Sequence, residues 1–173
     1  MKMLFLNFVA FIKQLISNTP HKIGKIAIQK SLTIATAESC TGGLISSRLT
    51  DISGSSSYIK LNLVTYSNQA KQKFLNVSKE TLEKYGAVSE QCAREMAKGL
   101  LNLTNSDFVL CTTGIAGPQG SENKPVGLIY CACGNKENIF VNEFRLNQVY
   151  NRKNMKFMFS ECALNMLFET ISK

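Results

Sequence analysis

The chain has 173 residues, of which 45% are apolar and 18% charged. That balance excludes a disordered polar chain and allows one domain with a sizeable core. Lys and Arg number 20 against 12 Asp and Glu, a net charge of +8, but no basic run alternates with aromatic residues, so the charge is not read as nucleic-acid binding.

Residues 3–12 are apolar except for Asn7 and follow Lys2. The stretch has the outline of a signal peptide, yet it lacks a small-x-small cleavage site and is too short to span a bilayer. Leu4, Phe8, Phe11 and Leu15 fall at helical spacing, with Phe5, Val9, Ile12 and Ile16 beside them. This predicts a helix whose wide apolar face seeks the core, a partner subunit or a membrane surface. Residues 1–18 are read as an extension and 19–173 as the domain. A cytoplasmic location is expected, with membrane contact through residues 1–16 as the alternative.

Thr19 as N-cap and Pro20 at the first helical position predict a helix to about Lys30. A strand over 32–37 runs into Glu38-Ser39-Cys40-Thr41-Gly42-Gly43, and a helix follows over 44–50. A second strand is expected over 57–66. Ser67-Asn68, Ser78 and Ser89 each fit as the start of a helix, with Gly86 stopping the second. Ala93, Met96, Ala97, Leu100 and Leu101 make a core stripe on the third. Residues 108–113 form a short apolar run typical of a buried central strand, ending in the glycine-rich loop 114–120. Residues 126–133 and 139–146 read as a hairpin. A last helix is expected over 151–171, with Met155, Met158, Phe159, Cys162, Met166 and Leu167 buried. About five strands alternating with helices give a three-layer α/β/α sandwich around a mixed sheet.

The six cysteines include no Cys-x-x-Cys pair, and the lone His21 is far from all of them in sequence. No metal site is expected, and a reduced chain is the simplest account. Cys131 and Cys133, two apart on a strand, are read as small core hydrophobes.

A strand, a tight polar turn and a helix start place Ser39 where free backbone N–H groups can gather around an anion or oxyanion. A serine hydroxyl needs a base. With one histidine near the start of an early helix, a Ser-His-Asp triad does not fit, which leaves a lysine of the Ser-Lys type. Tyr66 at a strand end and Lys71 in the next helix are the candidate partners, the tyrosine relaying a proton or holding the lysine. Such a lysine works as a base only when its environment favours the neutral amine. The turn lacks the Gly-Lys-Ser/Thr ending of a nucleotide P-loop. Cys40 ranks below Ser39 as nucleophile, because nothing basic in the sequence marks it.

Four blocks carry a resemblance: Thr36-Ala37-Glu38-Ser39-Cys40-Thr41-Gly42-Gly43, Val64-Thr65-Tyr66-Ser67-Asn68, Tyr85-Gly86-Ala87-Val88-Ser89, and Thr113-Gly114-Ile115-Ala116-Gly117-Pro118 with Lys124-Pro125-Val126-Gly127 after it. In order and spacing, residues 20–170 resemble the CinA C-terminal domain family, the nicotinamide-nucleotide amidases. The resemblance implies hydrolysis of the carboxamide of nicotinamide mononucleotide to nicotinate mononucleotide and ammonia, without metal or cofactor. It implies Ser39 as nucleophile assisted by Tyr66 and Lys71. Thr41, Gly42, Gly43, Thr113 and Gly114 are the expected substrate-binding positions. The family's late Gly-Asp/Asn-Arg motif falls on Tyr150-Asn151-Arg152, so Arg152 is expected to meet the substrate phosphate or fix the site. Many members carry a further N-terminal domain that 173 residues do not accommodate. Partners are expected to be the nucleotide substrate and further copies of the chain. An amidase for another carboxamide, and a CinA-like binding or competence-associated protein, are the alternative functions. Leu61-Asn62 stands where the family usually has paired glycines.

Overall fold

The computed structural model describes residues 5–9, 12, 17–121 and 123–173, and of the extension residues 5–9 and 12 are helical. The expected positions Leu4, Phe11, Leu15 and Ile16 lie outside the described residues. The elements are α1 (Thr19–Gln29), β1 (Ile34–Glu38), α2 (Leu44–Thr50), a 3-10 turn (Ser55–Ser57), β2 (Ile59–Val64), α3 (Asn68–Leu75), α4 (Lys79–Tyr85), α5 (Glu90–Thr104), β3 (Phe108–Gly114), β4 (Leu128–Gly134), β5 (Ile139–Arg145) and α6 (Arg152–Ile171).

The five strands form one sheet in the order β2-β1-β3-β4-β5. β1 pairs in parallel with β2 and β3, while β3-β4 and β4-β5 are antiparallel. The sheet is mixed, as the alternation of strands and helices predicts. Side-chain alternation divides the core between its two faces. Ile34, Leu110, Ile129 and Cys131 join the cluster built with Met155, Phe159 and Leu167 of α6. Ala35, Val109, Cys111 and Ala132 join Ala93, Met96 and Leu100 of α5 and Leu75 of α3. Each large apolar side chain buried this way contributes roughly 1.5–3 kcal/mol. Met158 and Cys162 are half-buried rather than core.

Capping follows the expected serines. Ser67, Ser78 and Ser89 accept the N–H of Ala70, Thr81 and Cys92. One cap differs: Asn18, not Thr19, stands at the α1 N-cap position, and no side chain caps that end. Thr19 instead donates its hydroxyl to Asn165 Oδ1 at 3.0 Å. Asn62, in place of the family's glycine, has a use on β2: its Oδ1 accepts the Thr36 hydroxyl at 2.7 Å.

From β1 the chain crosses to β2 on one side and later returns to β3 on the other. The carboxyl ends of β1, β2 and β3 therefore surround a topological switch point, where open α/β sheets hold ligands. Among the described residues, no helix is long and apolar enough to cross a membrane.

Candidate active site

Ser39 follows the last residue of β1 and is held by its backbone. Its N–H donates to Thr112 O at 3.1 Å and its carbonyl accepts from Gly42 at 3.1 Å. The preceding residue, Glu38, is fully buried. Its Oε1 accepts the backbone N–H and hydroxyl of Ser46 at 2.8 and 2.6 Å. Its Oε2 accepts the N–H groups of Gly43 and Ile45 at 3.0 and 3.1 Å. A carboxylate at a helix N-terminus satisfies orphan donors and complements the helix dipole. Glu38 thus already fills the anion position that the turn was expected to offer.

Lys71 comes from the other side of the cleft. The Ser67 cap sets the phase of α3, so the fourth residue after it points inward. Its side chain is 1% exposed. Nζ lies 3.0 Å from Ser39 Oγ and 2.9 Å from the Thr65 carbonyl. Thr65 is in turn fixed to β1 by its N–H to Glu38 O at 2.8 Å. Glu38 and Thr65 are the two contributors that sequence reasoning did not single out; an acid directly before a glycine-rich helix start was the available signal for the first.

Ser39, Tyr66, Lys71, Thr113, Gly114 and Arg152 share the wall of one cleft of about 250 Å³. Tyr66 stands at its mouth, 61% exposed, and its hydroxyl accepts from Arg152 Nη2 at 2.9 Å. Arg152 Nη1 also donates to the Gly117 carbonyl. The guanidinium therefore ties the glycine-rich loop to Tyr66 across the opening. The Thr113 hydroxyl is turned to Ala87 O at 2.7 Å. Gly114 is required by packing, since a Cβ there would stand 2.6 Å from Leu128 O.

At three expected substrate-binding positions the side chain, the N–H or the open space is directed away from the cleft wall. Thr41 is fully buried, 3.0 Å from the Thr112 hydroxyl. Gly43 gives its N–H to Glu38. Gly42 faces Lys156, whose Nζ would be 3.1 Å from an added Cβ. In the same turn the Gly42 N–H goes to the Ser39 carbonyl and those of Gly43, Ile45 and Ser46 go to Glu38, which leaves the N–H groups of Cys40 and Thr41 as the candidate oxyanion donors.

Burial pushes the Cys40 thiol up to about 12, so it carries almost no thiolate near neutrality. His21 lies in the wall of a different cavity of about 400 Å³, with Arg48, Asp51 and Phe157. That cavity has neither Ser39 nor Lys71 in its wall. Among the described residues, no three His, Cys, Asp or Glu side chains converge on a possible metal position.

The family model of the CinA C-terminal domain matches residues 17–171. The chain is 48% identical over 153 residues to a CinA-like protein of Chloroherpeton thalassium, covering 87% of this chain and 36% of that protein. It is 46% identical over 153 residues to a CinA-like protein of Chlorobium phaeobacteroides, covering 86% and 36%. The chain thus spans about a third of the length of these curated relatives. The crystal structure of competence/damage inducible protein CihA from Agrobacterium tumefaciens matches with a TM-score of 0.85 at 39% identity, over 90% of this chain and 94% of that one. A CinA superfamily protein from Escherichia coli matches with a TM-score of 0.82 at 32% identity, over 87% of each chain. Sequence, fold and the strand-end cleft agree, and the chain belongs to the CinA C-terminal domain family.

Proposed function

We propose that the chain is a serine–lysine amidase that hydrolyses the carboxamide of nicotinamide mononucleotide. The observation that carries this reading is the buried Lys71 amine 3.0 Å from Ser39 Oγ, with no imidazole in the cleft wall. Acting as a base requires Lys71 to hold the free amine, and its side chain is buried in the cleft wall beside the serine. The Thr65 carbonyl accepts from that amine and holds it within hydrogen-bond reach of the serine hydroxyl.

In the first half-reaction, Lys71 takes the Ser39 proton as Oγ bonds to the amide carbon. The developing oxyanion is met by the N–H groups of Cys40 and Thr41. The tetrahedral intermediate collapses, the C–N bond breaks, and the Lys71 ammonium returns the proton to the departing ammonia. Water, deprotonated by Lys71, then attacks the Ser39 ester. The acid is released and the serine hydroxyl is restored. Tyr66 and Arg152, joined across the mouth, orient the nucleotide rather than move the proton.

The test is ammonia release from nicotinamide mononucleotide by the purified chain. Release that is abolished in both Ser39→Ala and Lys71→Met supports the reading. A folded chain that releases none, or a Ser39→Ala variant that keeps its rate, ends it.

A further inference from the structure

The extension and α1 together follow α6 from its first turn to its last. Asn7 bonds to Val149, Asn151 and Asn154. Ser17 donates its hydroxyl to Glu161 at 2.8 Å, Thr19 reaches Asn165, and Lys30 Nζ donates to the Ile171 carbonyl at 2.9 Å. These contacts give the helical residues of the extension an inner side, where Leu6, Asn7 and Val9 are half-buried. Their outer side is not polar. Phe5 is 63% exposed, Phe8 60% and Ile12 37%, and spacings of three and four residues put the three on one helix face.

A surface helix ordinarily turns polar residues to water, and grouped exposed apolar side chains mark a surface that something covers. Charge decides what covers this one. The first acidic residue of the chain is Glu38; residues 1–37 carry Lys2, Lys13, Lys22, Lys25 and Lys30 and no Asp or Glu. Lys2 and Lys13 flank residues 5–12 in sequence, and Lys22, Lys25 and Lys30 are exposed on and just after α1. On α6, along which both segments lie, Glu161 is paired with Arg48, which leaves Glu169 as the other acid. A second copy of the chain is a poor match, because a two-fold contact through this face would set lysine against lysine. Phenyl rings among lysines with no acid fit the surface of an anionic bilayer. The rings enter the boundary between headgroups and acyl chains, and the ammonium groups meet the negative surface potential.

We infer that the extension is a peripheral docking surface for an anionic lipid bilayer, with Phe5 and Phe8 as its apolar anchors and the lysines of residues 1–37 as its electrostatic part. The helix lies on the bilayer and does not cross it, in keeping with the absence of a membrane-spanning helix among the described residues. Asn7, between the two phenylalanines in sequence, fixes this helix to the start of α6. The aromatic face is therefore formed before lipid is met, and binding carries little ordering cost. One shallow apolar face gives a reversible attachment. The inference is independent of the chemistry at Ser39.

The experiment is flotation of the full chain with phosphatidylcholine vesicles and with vesicles containing roughly one-third phosphatidylglycerol, titrated by lipid concentration. The expected result is binding to the anionic vesicles roughly ten-fold or more tighter than to the neutral ones, weakening as salt is raised. The Phe5→Ser/Phe8→Ser variant and the Lys2→Gln/Lys13→Gln variant are each expected to weaken it by roughly ten-fold or more. The two phenylalanines are exposed, so their replacement leaves the fold in place, which an unaltered melting curve checks. Failure of the full chain to float with anionic vesicles overturns the inference, as does equal binding to the neutral ones. Binding that survives in the phenylalanine variant overturns it too. A dimer in sedimentation velocity that the phenylalanine variant returns to monomer assigns the face to a second copy and overturns the bilayer.

Discussion

Glu38 and Ser46 are joined twice: one carboxylate oxygen of Glu38 accepts both the backbone N–H and the hydroxyl of Ser46, at 2.8 and 2.6 Å. The other oxygen takes the N–H groups of Gly43 and Ile45. Every lone-pair direction of this fully buried acid is thus used to close the turn that carries Ser39.

Glu38→Gln is nearly isosteric, but its amide NH2 must face donors whichever way it is turned. Buried donors left unpaired cost about 1–3 kcal/mol each. The variant is expected to lose on the order of 2–4 kcal/mol of stability, read by denaturant unfolding, and to lose ammonia release more steeply than stability. A variant as stable as the parent would refute the carboxylate's role in holding the turn.

How far the site could be read beforehand varied with the range of the interaction. Lys71 was within reach because the Ser67 cap fixes the helix phase four residues earlier. The strands of the hairpin followed from alternation, and the α5 stripe from its period. The partner of Tyr66 was not legible: Arg152 is 86 residues away, and only the return of α6 to the sheet brings it over the cleft. The same distance effect hid the Asn18 cap, since Thr19 is drawn off to Asn165 of the last helix. Gly43 was hidden for a different reason: its N–H is suited to an anion, but the chain supplies its own in Glu38.

A second relationship predicts an acid-dependent stability. Asp107 Oδ2 accepts the Thr33 N–H and hydroxyl at 2.7 and 2.6 Å, and the Asp107 N–H returns to the Thr33 hydroxyl at 3.0 Å. This clamp joins the segments that lead into β1 and β3. The hydrogen bond from the Thr33 hydroxyl, then that from its N–H, holds the Asp107 carboxyl below its ordinary value. A depressed folded-state value means that the ionised group stabilises the fold above the unfolded value of about 3.9, and that this is lost as pH falls through the folded value. Asp107→Asn is expected to melt below the parent at neutral pH, with the gap narrowing on acidification past about pH 3.9. A gap independent of pH would count against the clamp's ionised form.

The extension is tied to the cleft through Asn7, which lies outside the family match over 17–171. Asn7 Oδ1 accepts from the Asn151 N–H at 3.1 Å and from Asn154 Nδ2 at 2.7 Å, and its Nδ2 donates to Val149 O at 3.3 Å. Asn151 caps α6 by accepting the N–H of Asn154, and Arg152 is the next residue. Asn7 therefore acts on the cleft by fixing where Arg152 begins, without facing the reacting atoms itself. Each lost hydrogen bond of this kind is worth about 0.5–1.5 kcal/mol. Asn7→Ala is expected to raise KM for nicotinamide mononucleotide on the order of ten-fold while leaving kcat close to the parent value, because Ser39 and Lys71 are placed by β1 and α3. Equal losses in kcat and KM would mean that the extension supports the whole fold instead, and an unchanged KM would mean that Arg152 keeps its place without it.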